Sequence, residues 1–256
     1  MLVQEMAVEK ITASLIQSPY VRAVFLKGSM GRNEHDEHSD IDLYCLVEKE
    51  QEKLFLSERM THLQAYRPVL FQDDIFIVAP QLIAVFDDLL HIDLFTVTAE
   101  SFPAKDFFKV VYDPENRLNQ FEELQGLEIS KDEYTDHVID VAWFLFQYRK
   151  AAARGNGVWS VKMLSHVLEH LARVLLYRYA PVRAQLGLKA VSQSLPASVF
   201  SEIENISNLM TPADHAQAAS HIRQLLAKEA EWMNERISGR DKIMPLMKKM
   251  IEIQEN

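Results

Sequence analysis

Two aspartates, Asp40 and Asp42, stand one residue apart at the start of the apolar segment 41–47. Because side chains alternate across a β-strand, the two carboxylates would project from one face, while Ile41 and Leu43 would enter a core. Paired carboxylates suit Mg²⁺, which accepts one or two of them and fills its other positions with water and substrate phosphates. The spacing therefore predicts a divalent-cation site at the start of a strand.

A third carboxylate, Asp93, lies inside the strand-like apolar stretch 89–97. An unpaired charge in such a stretch is costly, which favours a functional role for it. Alternation places His91 and Phe95 on the same face as Asp93. Three carboxylates from adjacent strands could hold two metal ions roughly 3.5–4 Å apart and clamp the attacking and leaving oxygens of a displacement at phosphorus. This pattern indicates phosphoryl or nucleotidyl transfer.

A glycine and a serine, Gly28 and Ser29, follow the apolar segment 21–26. Glycine allows close approach of the backbone, and the following amides and the Ser29 hydroxyl can donate to phosphate oxygens. Arg32 is close enough in sequence to neutralise charge on a triphosphate. The segment is not a P-loop, because it lacks the Gly-Lys-Ser/Thr run followed at once by a helix.

The elements that would position these residues change in character along the chain. The first half mixes strand and helix periods, whereas nearly everything from about Lys131 onward has helical spacing. We therefore predict an α+β domain over residues 1–128, with a mixed sheet and flanking helices, followed by an all-α helical bundle over residues 129–256. The predicted strands are 21–26, 41–47, 75–78, 82–86 and 89–97, and the predicted helices are 3–16, 51–66, 134–154, 160–179, 211–237 and 241–253.

Composition narrows the classes of partner. The formal net charge of −10 argues against unassisted binding to nucleic acid and suits a cationic small molecule. The single cysteine, Cys45, stands in an apolar run and is expected to be a buried filler. No apolar run is long enough for a membrane span, and the N-terminal residues lack the pattern of a signal peptide. We expect a cytoplasmic protein without membrane contact, as a monomer or a homodimer.

The run Gly28-Ser29, ten residues, Asp40-Ile-Asp42, with a later strand acid at Asp93, resembles the signature of the polymerase-beta-type nucleotidyltransferase superfamily. Within it the chain is similar to the antibiotic-modifying nucleotidyltransferases of the kanamycin and lincosamide types, in length and in having helices after the catalytic domain. The similarity to the lincosamide type extends through 110–114, 153–156 and 160–165.

This resemblance implies roles for the same residues. Asp40, Asp42 and Asp93 would bind Mg²⁺, two ions in all, and Gly28 and Ser29 would hold the phosphates of ATP or another nucleoside triphosphate. The acceptor would be a hydroxyl of a small molecule, and the phenotype antibiotic resistance. Kanamycin-type enzymes take a glutamate base from the helical domain, where this chain offers Gln147. We therefore favour Asp93 as the base, as in the lincosamide type.

Alternatives remain open at this point. The protein could modify another protein in a toxin–antitoxin pair, or could bind nucleotides without catalysis. The segment His166-Val-Leu-Glu-His170 matches the inverted zinc-protease pattern H-x-x-E-H, but we interpret it as a polar helix face. The histidine- and acid-rich stretch 34–38 is interpreted as a solvated loop.

Overall fold

The chain is described by a computed structural model that covers residues 1–103, 105–237 and 239–253. It divides into two compact units, Met1–Gly126 and Leu127–Asn256. Positions 254–256, the end of the predicted domain 129–256, lie outside the described residues. The first unit is α+β with a mixed sheet and the second is helical, which confirms the predicted fold class.

Six strands of the described residues form one sheet in the order β3-β4-β5-β2-β1-β6. The central pair, β2 and β5, is parallel, and the other neighbouring pairs are antiparallel. The parallel pair matters most for the site, because it brings the beginnings of two strands to one edge. The strands are β1 (Val21–Leu26), β2 (Ile41–Val47), β3 (Val69–Phe76), β4 (Pro80–Phe86), β5 (His91–Val97) and β6 (Lys109–Tyr112).

The two faces of the sheet have separate hydrophobic cores. One face packs against helices α1 (Val3–Leu15) and α3 (Glu52–Leu63) and contains the apolar residues next to the aspartates, Ile41 and Leu43 among them, both fully buried. The other face is covered by aromatic residues from the segment after β5, including Phe102 and Phe121. Each strand of the central pair thus alternates between two cores, as its sequence period predicts.

Between β1 and β2 the chain forms a four-residue helix, α2 (Gly28–Gly31). Gly28 begins it with φ of +59°, a left-handed conformation that glycine adopts without strain. The expected Gly28-Ser29 turn is therefore a single helical turn. Short 3₁₀ segments, Lys49–Gln51 and Asn119–Leu124, complete this unit.

The second unit is built around a pair of long helices, α4 (Lys131–Ala153) and α5 (Gly157–Tyr179), which share one hydrophobic core. Ser130 caps α4 by accepting from the Glu133 amide at 3.2 Å, and the Glu133 carboxylate accepts from the Ser130 amide at 2.7 Å. Asn156 caps α5. The remaining helical segments are the 3₁₀ segment Pro181–Lys189, α6 (Val191–Ser194), α7 (Ala197–Asn208), α8 (His215–Arg236) and α9 (Arg240–Glu252).

Some predicted elements have other bounds in the structure, and some observed elements were not predicted. The strand predicted at 75–78 is β3, Val69–Phe76, and the strand predicted to begin at residue 89 begins at His91. β3 and β6 are edge strands with largely exposed side chains, so their sequences carry no clear alternation. Helix α7 was not predicted, and α8 begins at His215, not at residue 211.

Two expectations from composition can be compared with the structure. Cys45 is fully buried in the helix-covered core, which confirms that it is a filler, and burial raises the pKa of its thiol. Across the part of the chain that the structure describes, no helix combines the length and apolarity needed to cross a membrane.

Candidate active site

The parallel pairing of β2 and β5 places two of the predicted acids side by side. Asp42 and Asp93 are register partners, and the next partners on the same face are Tyr44 with Phe95. Those two rings stack with centroids 4.3 Å apart. The carboxylates therefore stand at one end of a stripe that continues as an aromatic floor, and strand geometry alone aims both of them at the same side of the sheet.

Asp40 joins this group through His91. His91 Nε2 lies 3.1 Å from Asp93 Oδ1, and its Nδ1 lies 3.8 Å from Asp40 Oδ2. One potential ligand atom from each of these three residues falls within 4.8 Å of the others. Asp40 is half exposed and Asp93 mostly covered, so the group opens to solvent on the Asp40 side. The structure thus brings Asp93 towards Asp40, with an imidazole between them.

The carboxylate of Asp42 faces Gly28. A Cβ atom added at Gly28 would lie 2.0 Å from Asp42 Oδ2. Glycine is therefore required here twice, once by its positive φ and once because the carboxylate of Asp42 occupies the space of a side chain. The Lys27 amide donates to the Asp42 carbonyl at 3.0 Å, which fixes the approach of the two segments.

Buried Lys27 provides a positive charge close to Asp42 and Asp106. Its side chain is 4% exposed, and its Nζ donates to the carbonyls of Pro103 at 3.2 Å and Lys105 at 2.6 Å. Burial lowers the pKa of Lys27 to about 8, although the nearby carboxylates of Asp106 and Asp42 oppose that shift. The ammonium of Lys27 offsets some of the negative charge of Asp42 and Asp106.

Arg32 lies close to the site but is engaged with acids of the protein itself. Its Nη1 donates to both oxygens of Asp106 at 2.8 and 2.9 Å, and its Nε donates to Glu34 at 2.9 Å. Its side chain is 12% exposed. A phosphate at Arg32 would have to replace one of these carboxylates, so its binding role stays a prediction. Ser29 lies partly buried in the single turn of α2.

The loop that leads to Asp40 is tethered to α1. Gln4 Nε2 donates to the Ser39 carbonyl at 2.9 Å, and His35 Nε2 lies 3.4 Å from Glu5 Oε1. An open pocket of about 520 Å³ lies beside Asp40 and includes three carboxylates. It is lined by Val3, Gln4, Glu37, His38, Ser39, Asp40, Asp88, Leu89, Leu90 and His91. A negative lining of this kind favours a cationic ligand.

Asp40 and Asp93 place one carboxylate oxygen each within reach of a shared cation, and Asp42 is the register partner of Asp93. All three offer oxygen donors, which Mg²⁺ prefers, and the exposed side of the group leaves room for water and phosphate oxygens. His91 is the unexpected member, since imidazole is a poor ligand for Mg²⁺. Its hydrogen bond to Asp93 suits a residue that orients a carboxylate.

This arrangement agrees with the comparison to protein families. Residues 9–85 match the family model described as polymerase beta, nucleotidyltransferase. The first unit carries a polymerase beta nucleotidyltransferase domain. The matched segment contains Gly28, Asp40 and Asp42 and ends before Asp93.

The chain also has distant similarity to solved structures. An aminoglycoside 6-adenyltransferase from Bacillus subtilis is 13% identical, with 98% of this chain and 100% of that chain covered and a TM-score of 0.38. A nucleotidyltransferase-like protein from Exiguobacterium sibiricum is 12% identical, with coverage of 91% and 77% and a TM-score of 0.39. The CdnE cyclic dinucleotide synthase of Elizabethkingia meningoseptica is 12% identical, with coverage of 97% and 91% and a TM-score of 0.32. No curated protein sequence matches the chain.

Sequence reasoning missed three neighbours of the acids in this nucleotidyltransferase domain. His91 was placed on the face of Asp93 but given no role, and its position two residues before Asp93 is the signal that could have found it. Lys27 stands immediately before Gly28, at the end of an apolar strand, where a buried charge is unusual. Asp106, the partner of Arg32, has no local signal, because the contact joins residues that are 74 positions apart.

Proposed function

We propose that this protein transfers AMP from ATP to a hydroxyl group of a small molecule and releases pyrophosphate. The observation that carries the proposal is the register of β2 and β5, which sets Asp42 beside Asp93 on one face, with Asp40 linked to Asp93 through His91. Three acids from two strands are what a nucleotidyl transfer site needs to gather cations around a triphosphate.

The reaction is an in-line displacement at the α-phosphorus. The acceptor oxygen forms a new bond to phosphorus, the bond from that phosphorus to the bridging oxygen breaks, and its electron pair leaves with pyrophosphate. Asp93 takes the proton of the hydroxyl, and the contact from His91 holds the Asp93 carboxylate in one orientation. The aromatic floor of Tyr44 and Phe95 keeps the inner side of the acids dry.

Asp40, Asp42 and Asp93 would hold two Mg²⁺ ions. Bound Mg²⁺ supplies Lewis acidity and neutralises phosphate charge at the reacting phosphorus. Gly28 lets the backbone approach the phosphates, and Ser29 donates to them through its amide and hydroxyl. Arg32 joins them by exchanging Asp106 or Glu34 for a phosphate oxygen.

The acceptor we propose is a cationic natural product of the aminoglycoside or lincosamide class. The net charge of −10 and the three carboxylates of the pocket beside Asp40 support a cationic ligand. In this proposal the enzyme works in the cytoplasm as a monomer or homodimer, needs no nucleic acid or membrane, and confers antibiotic resistance.

The test follows label from α-³²P-ATP into a panel of aminoglycosides and lincosamides. Wild type is expected to label at least one acceptor in the presence of Mg²⁺, whereas Asp40→Asn and Asp42→Asn are expected to lose transfer without losing their fold. Asp73→Asn, an exposed acid on β3 of the same sheet, is the matched control and should retain full activity. Label that appears on a protein of a lysate, and on no member of the panel, would contradict the small-molecule acceptor.

A further inference from the structure

A second group of possible metal ligands lies on the helix pair of the second unit. His137 and Asp140 are three residues apart on α4 and so share one helix face, and His170 comes from α5. His137 Nδ1 lies 3.0 Å from His170 Nδ1, which in turn lies 3.4 Å from Asp140 Oδ2. One ligand atom from each residue falls within 4.8 Å of the others.

These spacings match those of ligands that share one ion. Metal–ligand bonds of about 2.0–2.1 Å, as zinc makes to nitrogen and oxygen, separate two adjacent ligand atoms by roughly 3.0–3.4 Å. The separations of 3.0 Å between the two histidine nitrogens and 3.4 Å between His170 Nδ1 and Asp140 Oδ2 fall in that range. Ligands on facing helices are a common way to build a metal site inside a helical bundle.

Hydrogen bonds alone do not satisfy all the polar atoms of His137, Asp140 and His170. If His170 Nδ1 carries a proton, it can give its single hydrogen bond to His137 or to Asp140, but it cannot serve both fully. If His170 Nδ1 carries no proton, its lone pair faces the carboxylate. A cation placed among the three atoms would satisfy all of them at once.

The surroundings hold the rings in place and limit the competing charge. Phe144 stacks on His170 with centroids 5.7 Å apart and on His166 at 4.6 Å. The charged groups that act on the two histidines from α4 and α5 are Glu133, Asp140, Glu169 and Arg173, together with His166. Burial lowers the pKa of His137 and of His170.

Arg173 is an unfavourable neighbour, and His166 is one to a smaller extent, because positive charge opposes a bound cation. Arg173 Nη1 lies 3.6 Å from Glu169 Oε1, and that ion pair reduces the opposition. With Asp140 close by and Glu133 on the same helix, the balance of charge around the histidines stays acidic.

We propose that His137, Asp140 and His170 form a binding site for one divalent transition-metal ion of the zinc class, independent of the proposed nucleotidyl transfer site. Two imidazole nitrogens favour zinc and its neighbours in the periodic table over Mg²⁺. Three protein ligands leave at least one position for water or another donor. The ion joins α4 to α5, and its binding raises the stability of the helical unit by mass action.

The ligand set differs from the one that the sequence pattern H-x-x-E-H selects. That pattern pairs His166 with His170, whereas the structure pairs His137 with His170 and leaves His166 stacked on Phe144. His166→Gln is therefore a matched control, because it removes a histidine of the same helix one turn away from the proposed ligand.

The test is zinc binding to the full chain, measured by competition with a chromophoric zinc chelator in excess Mg²⁺, which fills carboxylate sites that prefer hard cations. Wild type, His166→Gln and Asp93→Asn are expected to bind one zinc ion with the same affinity. His137→Gln, His170→Gln and Asp140→Asn are expected to weaken it by more than about tenfold. Circular dichroism without zinc checks the fold of each variant, and Asp140→Asn keeps the shape of its side chain should a histidine variant fail to fold.

Equal zinc affinity in wild type, His137→Gln and Asp140→Asn would overturn the proposal. If His166→Gln lost as much zinc affinity as His137→Gln and His170→Gln, the proposed ligand set would be overturned. Neither result depends on ATP or on an acceptor. The zinc site and the transfer reaction can therefore fail separately, since Asp93→Asn tests the second without touching the first.

Discussion

The carboxylate group of the sheet and the histidine group of the helix pair use the same residue types in opposite proportion. On the sheet, Asp40 and Asp93 flank a single imidazole, and Asp42 stands beside Asp93. On the helices, His137 and His170 meet a single carboxylate. Oxygen-rich groups favour Mg²⁺ and nitrogen-rich groups favour zinc, so the two sites that we propose would take different metals.

The two groups also differ in how their backbones position the side chains. A strand of period two puts Asp40 and Asp42 on one face with a single residue between them, and parallel pairing adds Asp93 directly. On a helix, His137 and Asp140 share a face because they are three positions apart, and a second helix is needed to complete the set. The sheet group can therefore be recognised in the sequence as a short motif. The helix group can be recognised only in the tertiary structure, where α4 packs against α5.

The largest effect is expected for Asp93→Asn. The variant keeps the shape of the side chain but loses the proposed base and one cation ligand, so the transfer rate should fall on the order of 10³-fold. Single-turnover transfer from labelled ATP measures it, with Asp73→Asn as the exposed control on the same sheet. A rate within a few-fold of wild type would remove Asp93 from the reaction.

Gly28→Ala is expected to have the next largest effect. The new Cβ would lie 2.0 Å from Asp42 Oδ2, at a residue whose φ is +59°, so the acid must move and the backbone is strained. We expect roughly a 100-fold loss of transfer together with about 1–3 kcal/mol lower stability.

Gly155→Ala separates these two causes. Gly155 has a similar φ of +67°, but no atom lies within 4 Å of the position of its Cβ. This control should show a stability cost of about 1 kcal/mol and no loss of transfer. If Gly28→Ala behaved like Gly155→Ala in both measurements, the crowding of Asp42 would have no part in catalysis.

His91→Gln should have a moderate effect, because His91 acts by orienting Asp93. Loss of an orienting partner typically costs about 10–100-fold, and we expect the lower end in the rate of transfer. The readout that separates positioning from mere structure is the split between kcat and KM: without the imidazole contact, kcat should fall while KM for ATP and the melting temperature stay close to those of wild type. An unchanged kcat would leave His91 without a role.

The smallest effect concerns stability and Lys27. Its pKa is about 8 in the folded protein and higher in the unfolded chain, so between about pH 8 and 10 the unfolded state binds the extra proton. The free energy of unfolding should therefore rise with pH in that window by roughly 2 kcal/mol from this group. Urea unfolding at pH 7.5 and 9.5 measures the rise, which should be smaller in Lys27→Met. If the free energy of unfolding rose equally with pH in wild type and in Lys27→Met, the burial of this ammonium would be contradicted.

The sequence predicted the parts of the fold that follow from a clear period. The segment 41–47 alternates between two cores, and α5 carries a continuous apolar stripe, so both were predicted close to their observed bounds. Edge strand β3 has exposed side chains on both faces and carries Asp73 and Asp74 in its interior, so alternation could not reveal its start at Val69.

The candidate site was predictable only where its residues are local. Gly28, Asp40 and Asp42 form a motif, and Asp93 stands out as an acid in an apolar strand. The ion pair of Arg32 with Asp106 depends on tertiary structure, which the sequence around Arg32 does not encode. The partner of His170 was also out of reach, because a local pattern offered His166 first.

The most direct test of the central claim is the binding of Mn²⁺, a reporter for Mg²⁺ sites, measured by electron paramagnetic resonance with a non-hydrolysable ATP analogue. Using a His137→Gln/His170→Gln background avoids signal from the helix group. We predict two bound ions when Asp40, Asp42 and Asp93 are intact, and loss of tight binding in Asp42→Asn and Asp93→Asn. Wild-type Mn²⁺ affinity in both variants would show that these acids do not hold the cations, and the account of the site would be wrong.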